Sequence, residues 1–415
     1  MTGGRGGFAG LDACVHCGFC LQACPTFLAT GDESDSPRGR IELMRALEQG
    51  ELTATDSELA FHLDRCLGCR ACEPVCPSGV RYGQGLEAAR DRLAQIRGVP
   101  LLARVALWAL TTAGVADVAY RLARILRATG IPRWLAGWGR ARFALGMLAA
   151  TTGGQGRSEA VGGGRRVPAP DRPRPPLTAL LFRGCVMEGL FRHVHDATIR
   201  TLQVNGCAVR EVAGQVCCGA LHGHAGLLDG ARALAEANVA AFGDGDEPIV
   251  VNSAGCGAFM KEYGHLVDGG DRFSARVRDV TEVLAVNGGP VAGAPLDLRV
   301  AYDPPCHLLH AQRIADPPLR LFAAIPLLRL IPVPGAADCC GSAGLFTLTE
   351  AEMSRAVLAP KLGALREAAP QVVATGNPGC LMQLGAGLAA AGVRTAVLHP
   401  VELLDASYRA AGRYE

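Results

Sequence analysis

At 415 residues, 49% of them hydrophobic, and with a formal net charge of +2, the chain can hold two or three domains, and its overall charge gives no reason to expect a nucleic-acid partner. Seventeen cysteines would mean a disulfide scaffold in a short secreted chain. Here the first residues, MTGGRGGFAG, hold no apolar signal core, so the expectation is free thiols in a reducing cytosol.

The chain opens on two cysteine loops. Cys14-x-x-Cys17-x-x-Cys20-x-x-x-Cys24-Pro25 recurs as Cys66-x-x-Cys69-x-x-Cys72-x-x-x-Cys76-Pro77. Three thiolates at that spacing can wrap three corners of a [4Fe-4S] cube, while the fourth, followed by Pro, leaves at another angle and reaches a neighbouring cluster. The crossed pattern usual in two-cluster ferredoxins assigns Cys14, Cys17, Cys20 and Cys76 to one cluster and Cys66, Cys69, Cys72 and Cys24 to a second. Zinc knuckles are the alternative, but tetrahedral zinc usually takes two separated C-x-x-C pairs. Between the runs lie a turn at Ser36-Pro37-Arg38-Gly39-Arg40 and a helical pattern over 41–48. Leu59, His62 and Leu63 share a helical face before Cys66, and helical periodicity covers 84–96.

Residues 101–126 are strongly apolar, but the run 105–116 is bounded by Arg104 and Asp117 and falls short of the roughly 20 residues needed to span a bilayer. A buried packing helix is one reading. A membrane-surface or partner-binding helix is the other, suggested by Arg104, Arg121, Arg124 and Arg127. Residues 151–176 are rich in Gly, Pro and Arg and read as a linker.

Beyond the linker, strand-like runs at 179–182, 208–212 and 249–252 alternate with helical runs at 193–204 and 227–241. The pattern recurs with strands at 298–302, 328–333, 372–374 and 395–398 and helices at 350–367 and 381–391. Such alternation implies parallel or mixed sheets covered on both faces.

These halves are an internal repeat. Cys185, Cys217-Cys218-Gly219 and Cys256 match Cys306, Cys339-Cys340-Gly341 and Cys380 at offsets of 121, 122 and 124 residues. The outer cysteines follow strands, so four thiols per half should converge at the strands' carboxyl ends, where open α/β sheets place ligands. Plain burial, a vicinal disulfide, a metal or cluster site and a redox-active thiol site all remain open. Cys207 has no counterpart and reads as a small buried apolar residue. Among the nearby histidines, His224 and His310 are the candidates for ligand or proton carrier, ahead of His222 and His307. No dinucleotide or Walker loop occurs, which puts hydride chemistry on another chain.

Taken together, the cysteine runs and the Cys-Cys-Gly repeats resemble the iron-sulfur subunit of bacterial glycolate oxidase (glycolate dehydrogenase). The likeness is carried by Ala13-Cys14-Val15-His16-Cys17-Gly18-Phe19-Cys20, by Cys76-Pro77-Ser78-Gly79-Val80-Arg81-Tyr82, by Ser253-Ala254-Gly255-Cys256-Gly257-Ala258-Phe259 and by Cys339-Cys340-Gly341-Ser342-Ala343-Gly344. It implies a subunit that accepts electrons from a flavoprotein, with FAD only on that partner, and passes them to a quinone or other membrane acceptor from the cytoplasmic face of the inner membrane. Subunits of lactate-utilisation oxidases, anaerobic glycerol-3-phosphate dehydrogenase and heterodisulfide reductase share the cysteine-rich domain. In the heterodisulfide reductase type each half ends in C-x-x-C. Here Phe259 and Gln383 stand at those last positions, which counts against heterodisulfide chemistry and puts a noncubane cluster in doubt.

The expected architecture is multidomain: an N-terminal α-helical two-[4Fe-4S] ferredoxin domain (1–98), a helical connector (99–150), the linker (151–176) and a duplicated α/β cysteine-rich domain (177–290 and 291–415). The leading functional expectation is an electron-transfer subunit, with no catalytic residue of its own. A thiol or cluster enzyme acting on a disulfide-type substrate, and a scaffold whose halves hold zinc or nothing, are the alternatives.

Overall fold

The computed structural model describes residues 8–112, 114–152, 177–286 and 289–414. Most of the expected linker, 153–176, lies outside the described residues.

The N-terminal unit is helical. Its helices Pro37–Gln49, Ser57–Asp64 and Tyr82–Arg97 pack around Ile41, Met44, Leu47, Leu59, Leu63, Leu86 and Leu93. Local chemistry sets the helix ends. Ser36 caps the first through Gly39 N–H with Pro37 in the first turn, and Asp56 accepts from the backbone N–H groups of Glu58 and Leu59 at the second. Leu59, His62 and Leu63 are buried together, as their shared face requires.

The connector is four helices, Leu101–Thr111, Val115–Ala128, Ile131–Leu135 and Arg140–Ala149. The apolar run 105–116 is therefore not one continuous helix. It breaks at Gly114, whose φ of +79° a helix interior does not allow. No single helix among the described residues is long and apolar enough to cross a membrane.

Each later half is a four-stranded, all-parallel sheet. The first holds β1 (Leu177–Phe182), β2 (Cys207–Glu211), β3 (Ile249–Val251) and β4 (Val277–Asp279) in the order β2-β1-β3-β4. The second holds β5 (Arg299–Tyr302), β6 (Arg329–Leu330), β7 (Val372–Ala374) and β8 (Ala396–Leu398) in the order β6-β5-β7-β8. The expected strand at 328–333 shrinks to β6, an exposed edge strand. The helices Arg192–Val204, Leu228–Phe242, Ala351–Ala368 and Pro378–Ala390 are the crossovers, within a few residues of the expected runs.

The halves are not independent beads. One core holds Val194, Leu202 and Val250 of the first half with Val300, Val373 and Leu404 of the second. The repeated motifs meet directly across it, with Ala254 N–H donating to Gly376 O (3.1 Å) and Gly255 N–H to Asn377 Oδ1 (3.1 Å). Strand ends of both sheets therefore face a common space.

Candidate cluster and thiol site

Both cysteine runs fold alike. The third and fifth residues of each are left-handed, His16 and Gly18 at φ +55° and +85°, Gly68 and Arg70 at φ +61° and +59°. For His16 and Arg70 that conformation is strained, of the kind structures keep at functional loops. It curls each loop around its sulfurs. Cys14, Cys17, Cys20, Cys72 and Cys76 line one small cavity. Cys24, Cys66 and Cys72 are electrostatic neighbours of one another. The donor set, soft thiolates drawn from both runs, suits cubane clusters.

The second group is buried and charge-compensated. Arg40 is wholly buried and donates to His62 O (2.7 Å), Thr26 Oγ1 (2.9 Å) and Asp35 Oδ1 (3.0 Å). Arg65 pairs with the other Asp35 oxygen at 2.8 Å. Burial opposes the Cys66 thiolate, but Arg40 and Arg90, the Tyr82 hydroxyl (3.5 Å) and the Gly68 N–H (3.4 Å) outweigh it and pull that thiol down. Cys72, fully buried among other thiols, is pushed well up, so it needs a cation or a cluster to hold it as thiolate.

This unit docks on the halves through its second run. Leu67, Cys69, Cys339, Phe346, Met353 and Val357 form one buried cluster with Cys306 against it. His307 Nε2 lies 3.0 Å from Gly68 O, and Arg70 pairs with Glu262 at 2.6 Å. Glu87 is held down to about 2: burial works against its charge, and His224 and His265 overcome it.

In each half four thiols form a chain of contacts. Cys185 Sγ lies 3.5 Å from Cys217 Sγ, and Cys217 and Cys218, and Cys218 and Cys256, are near enough to shift one another's protonation. Cys306 joins Cys339, Cys339 joins Cys340, and Cys340 Sγ lies 3.3 Å from Cys380 Sγ. The hydrogen bond from Cys185, with Cys218 alongside, pulls the Cys217 thiol down, whereas Cys185 and Cys218 are pushed up. Every cysteine is free, so the pairs are not vicinal disulfides. A metal bound by four sulfurs at about 2.3 Å has sulfurs about 3.8 Å apart, a few tenths of an ångström beyond these contacts. Among the described residues no three of these sulfurs lie within 4.8 Å of one another. Each half therefore brings its thiols close in pairs, and gathering four around one metal would require its loops to move.

All eight of these cysteines line a single cavity of about 510 Å³ between the halves, and Cys66 and Leu67 reach its wall. His224 lines it too, its ring 5.5 Å from that of His307. His310 does not: it sits on the π-helical turn His307–Ala311 with Nε2 3.3 Å from Ala337 O. Of the two favoured histidines only His224 joins the thiols, and His307, given less weight, joins them as well.

Gln383 and Phe259, each three residues after the last cysteine of its half, support the cysteine loops in another way. Gln383 is wholly buried; it accepts from Thr347 Oγ1 (3.1 Å) and donates to Ser354 Oγ (2.9 Å), and Ser354 donates to Gly341 O (2.8 Å). In the first half Phe259 packs under the loop, 3.3 Å from where a Cβ on Gly219 would lie. An amide network and an aromatic ring thus brace the Cys-Cys-Gly turns.

Sequence reasoning missed three residues here. Lys361 forms a buried ion pair with Asp303, close enough to Cys340 and Cys380 to act on them electrostatically. Its rarity was the available signal, since Lys occurs only at 261 and 361. Tyr120, from the connector, is buried beside Cys185. Nothing in its local sequence points there.

With this geometry in view, residues 10–80 match the 4Fe-4S dicluster domain family, and 179–261 and 300–385 each match the Cysteine-rich domain family. The chain is 34% identical to the probable glycolate oxidase iron-sulfur subunit of Bacillus subtilis (strain 168), over 96% of this chain and 94% of that one. It is also 34% identical to the glycolate oxidase iron-sulfur subunit of Escherichia coli (strain K12), over 95% and 93%. Lactate utilization protein A of Geobacillus kaustophilus (strain HTA426) is 31% identical but aligns with only 54% of this chain, and 98% of its own. The glycolate oxidase likeness runs through the N-terminal unit, the connector and both halves, so it is a relation of the whole molecule and not of one shared module. The chain belongs to the glycolate oxidase iron-sulfur subunit family.

Proposed function

We propose that this chain is the electron-transfer subunit of a glycolate oxidase complex, taking electrons from a flavoprotein that oxidises glycolate to glyoxylate and passing them towards a membrane quinone. The observation that carries this is the packing of Cys69 against Cys306 and Cys339, which joins the N-terminal thiols to the thiols of the cavity without intervening solvent. Two [4Fe-4S] clusters, one on Cys14, Cys17, Cys20 and Cys76 and one on Cys66, Cys69, Cys72 and Cys24, would supply reversible one-electron chemistry and so split a two-electron flavin oxidation into single transfers.

The chain's own residues hold and tune that path. Arg40 and Arg90 offset negative charge at Cys66, while Cys24, Cys69 and Cys72 are buried. FAD belongs to the partner, since this chain has no dinucleotide loop. The lactate and glycerol-3-phosphate alternatives have less support, because the lactate-utilisation relative aligns with only half of the chain.

The two thiol quartets of the cavity are a further redox or metal site in this reading, placed after the second cluster. Anaerobic quantitation of iron and acid-labile sulfide with EPR of the reduced and oxidised chain tests both parts. About eight of each per chain is expected for two cubane clusters. An excess lost in Cys217→Ser or Cys339→Ser assigns metal to the halves, and a value well below eight removes the relay. In the reconstituted complex, Cys69→Ser should leave flavin reduction by glycolate intact and abolish transfer to a quinone; normal turnover would refute the path.

A further inference from the structure

We propose that the outer face of the connector binds the surface of an anionic lipid bilayer. The inference rests on the proposed delivery of electrons to a membrane acceptor and names the surface that makes it possible.

Two connector helices are amphipathic in the same sense. On Val115–Ala128, Tyr120 points inward and is buried, while Val118, Leu122 and Ile125, spaced at i, i+4 and i+7, are 57%, 61% and 64% exposed. On Leu101–Thr111, Ala103 and Leu107 are buried, while Leu101, Val105 and Trp108 at the same spacing are 66%, 50% and 56% exposed. Trp134, on the next short helix, is 81% exposed and stands beside exposed Ile131. Scattered exposed apolar residues are ordinary, but two successive helices that both turn apolar faces outward are not.

The charge on this face has one sign. Residues 101–150 contain seven arginines and one acidic residue, Asp117. Arg127 and Arg142 are used internally, Arg127 on Thr151 O (2.8 Å) and Leu190 O (3.2 Å), Arg142 on Leu135 O (3.2 Å). Arg104, Arg121, Arg124 and Arg133 are exposed among the apolar residues, and among the described residues no carboxylate pairs with them. Protein interfaces deplete charge at their centres. Basic residues flanking a Leu and Trp face are what a helix lying in the headgroup region presents to anionic lipid. These helices are also too short to span a bilayer, so they lie on it. The inner side of Val115–Ala128 meets Cys185 through Tyr120, so the thiol cavity would sit behind the membrane by about one helix diameter, roughly 10–12 Å.

The test is flotation of the full chain, prepared anaerobically with its iron, on vesicles of phosphatidylcholine with phosphatidylglycerol and on phosphatidylcholine alone. Binding to the anionic vesicles that weakens with salt is expected. Arg121→Gln with Arg124→Gln should lower it roughly thirtyfold, the loss expected for two surface cations. Leu122→Glu with Ile125→Glu should abolish it while iron content and circular dichroism stay unchanged. Failure of the wild-type chain to float, or flotation indifferent to both double substitutions, overturns the proposal. So does a loss of self-association in sedimentation, or of the flavoprotein in co-purification, caused by the same substitutions, since the face would then belong to a second copy or to the partner. Reduction of a soluble dye by the complex with glycolate should be unchanged in these variants. If dye reduction is absent in the wild type while lipid binding persists, the electron-transfer reading fails and the docking face stands.

Discussion

Arg40 shows how one side chain links stability to the cysteine site. It is fully buried, spends its donors on Thr26, His62 and Asp35, and lies beside Cys24 and Cys66. Arg40→Leu leaves the wholly buried Asp35 carboxylate with Arg65 as its remaining arginine partner. We expect a loss of about 3–5 kcal/mol, the cost of breaking a buried pair, read by urea denaturation, with iron content falling in parallel. Gln383 makes a different case. Gln383→Ala opens a cavity and strips partners from Thr347 and Ser354, which should cost about 2–4 kcal/mol. The circular dichroism melt of that variant should fall while the N-terminal clusters keep their EPR signals; an unchanged melt would mean that the network is dispensable.

At the scale of elements, the Cys-Cys-Gly turn is the part most tightly specified by its backbone. Gly341 has φ +81° and a Cβ there would lie 2.5 Å from Ser354 O, whereas Gly50 has φ +79° with open space around it. Gly50→Ala should therefore cost only the left-handed penalty of about 1–2 kcal/mol. Gly341→Ala should cost at least about 2 kcal/mol more, because Ser354 sits on a packed helix that must shift. Equal melting temperatures for the two variants would show that the turn gives way freely. Elements missed from sequence have local causes. β4 is only Val277–Asp279 with its middle residue exposed, too short to show a period. The helix Asp316–Ala323 is masked by Pro317 and Pro318, which occupy its first turn and read as breakers in a sequence.

For the whole molecule, buried neutral histidines set the acid limit. Burial pushes His195 down to about 4 and His399 to about 3. His195 Nδ1 lies 3.0 Å from Asn252 Nδ2, and His399 Nδ1 accepts from Val401 N–H at 3.2 Å. Both rings therefore stay neutral in the native state while the unfolded chain takes up protons below about 6.5. The stability they contribute is full above that pH and is lost as pH falls towards 4 and 3. Each should remove up to about 1.4 kcal/mol per pH unit in that window. Urea midpoints taken from neutral pH down to about 5 should decline, and His399→Asn should flatten the slope; a slope unaltered in that variant would locate acid sensitivity elsewhere.

The cysteine spacing disclosed the iron-sulfur chemistry, because a cube of iron and sulfur constrains ligands only a few residues apart in one loop. The resemblance to the family was carried by the residues around both kinds of cysteine motif. The repeat of strand, thiol and Cys-Cys-Gly was equally legible, since its periods of two and 3.6 and its matched neighbours are local. What the tertiary structure decided is which of these groups meet. Cys69 reaches Cys306 and Cys339, Tyr120 reaches Cys185, and His307 takes a place beside His224 while His310 does not. Each of those encounters is fixed by helices and sheets packing across hundreds of residues of chain. The forces that drive such packing depend on buried area and shape, which leave no short pattern along the chain.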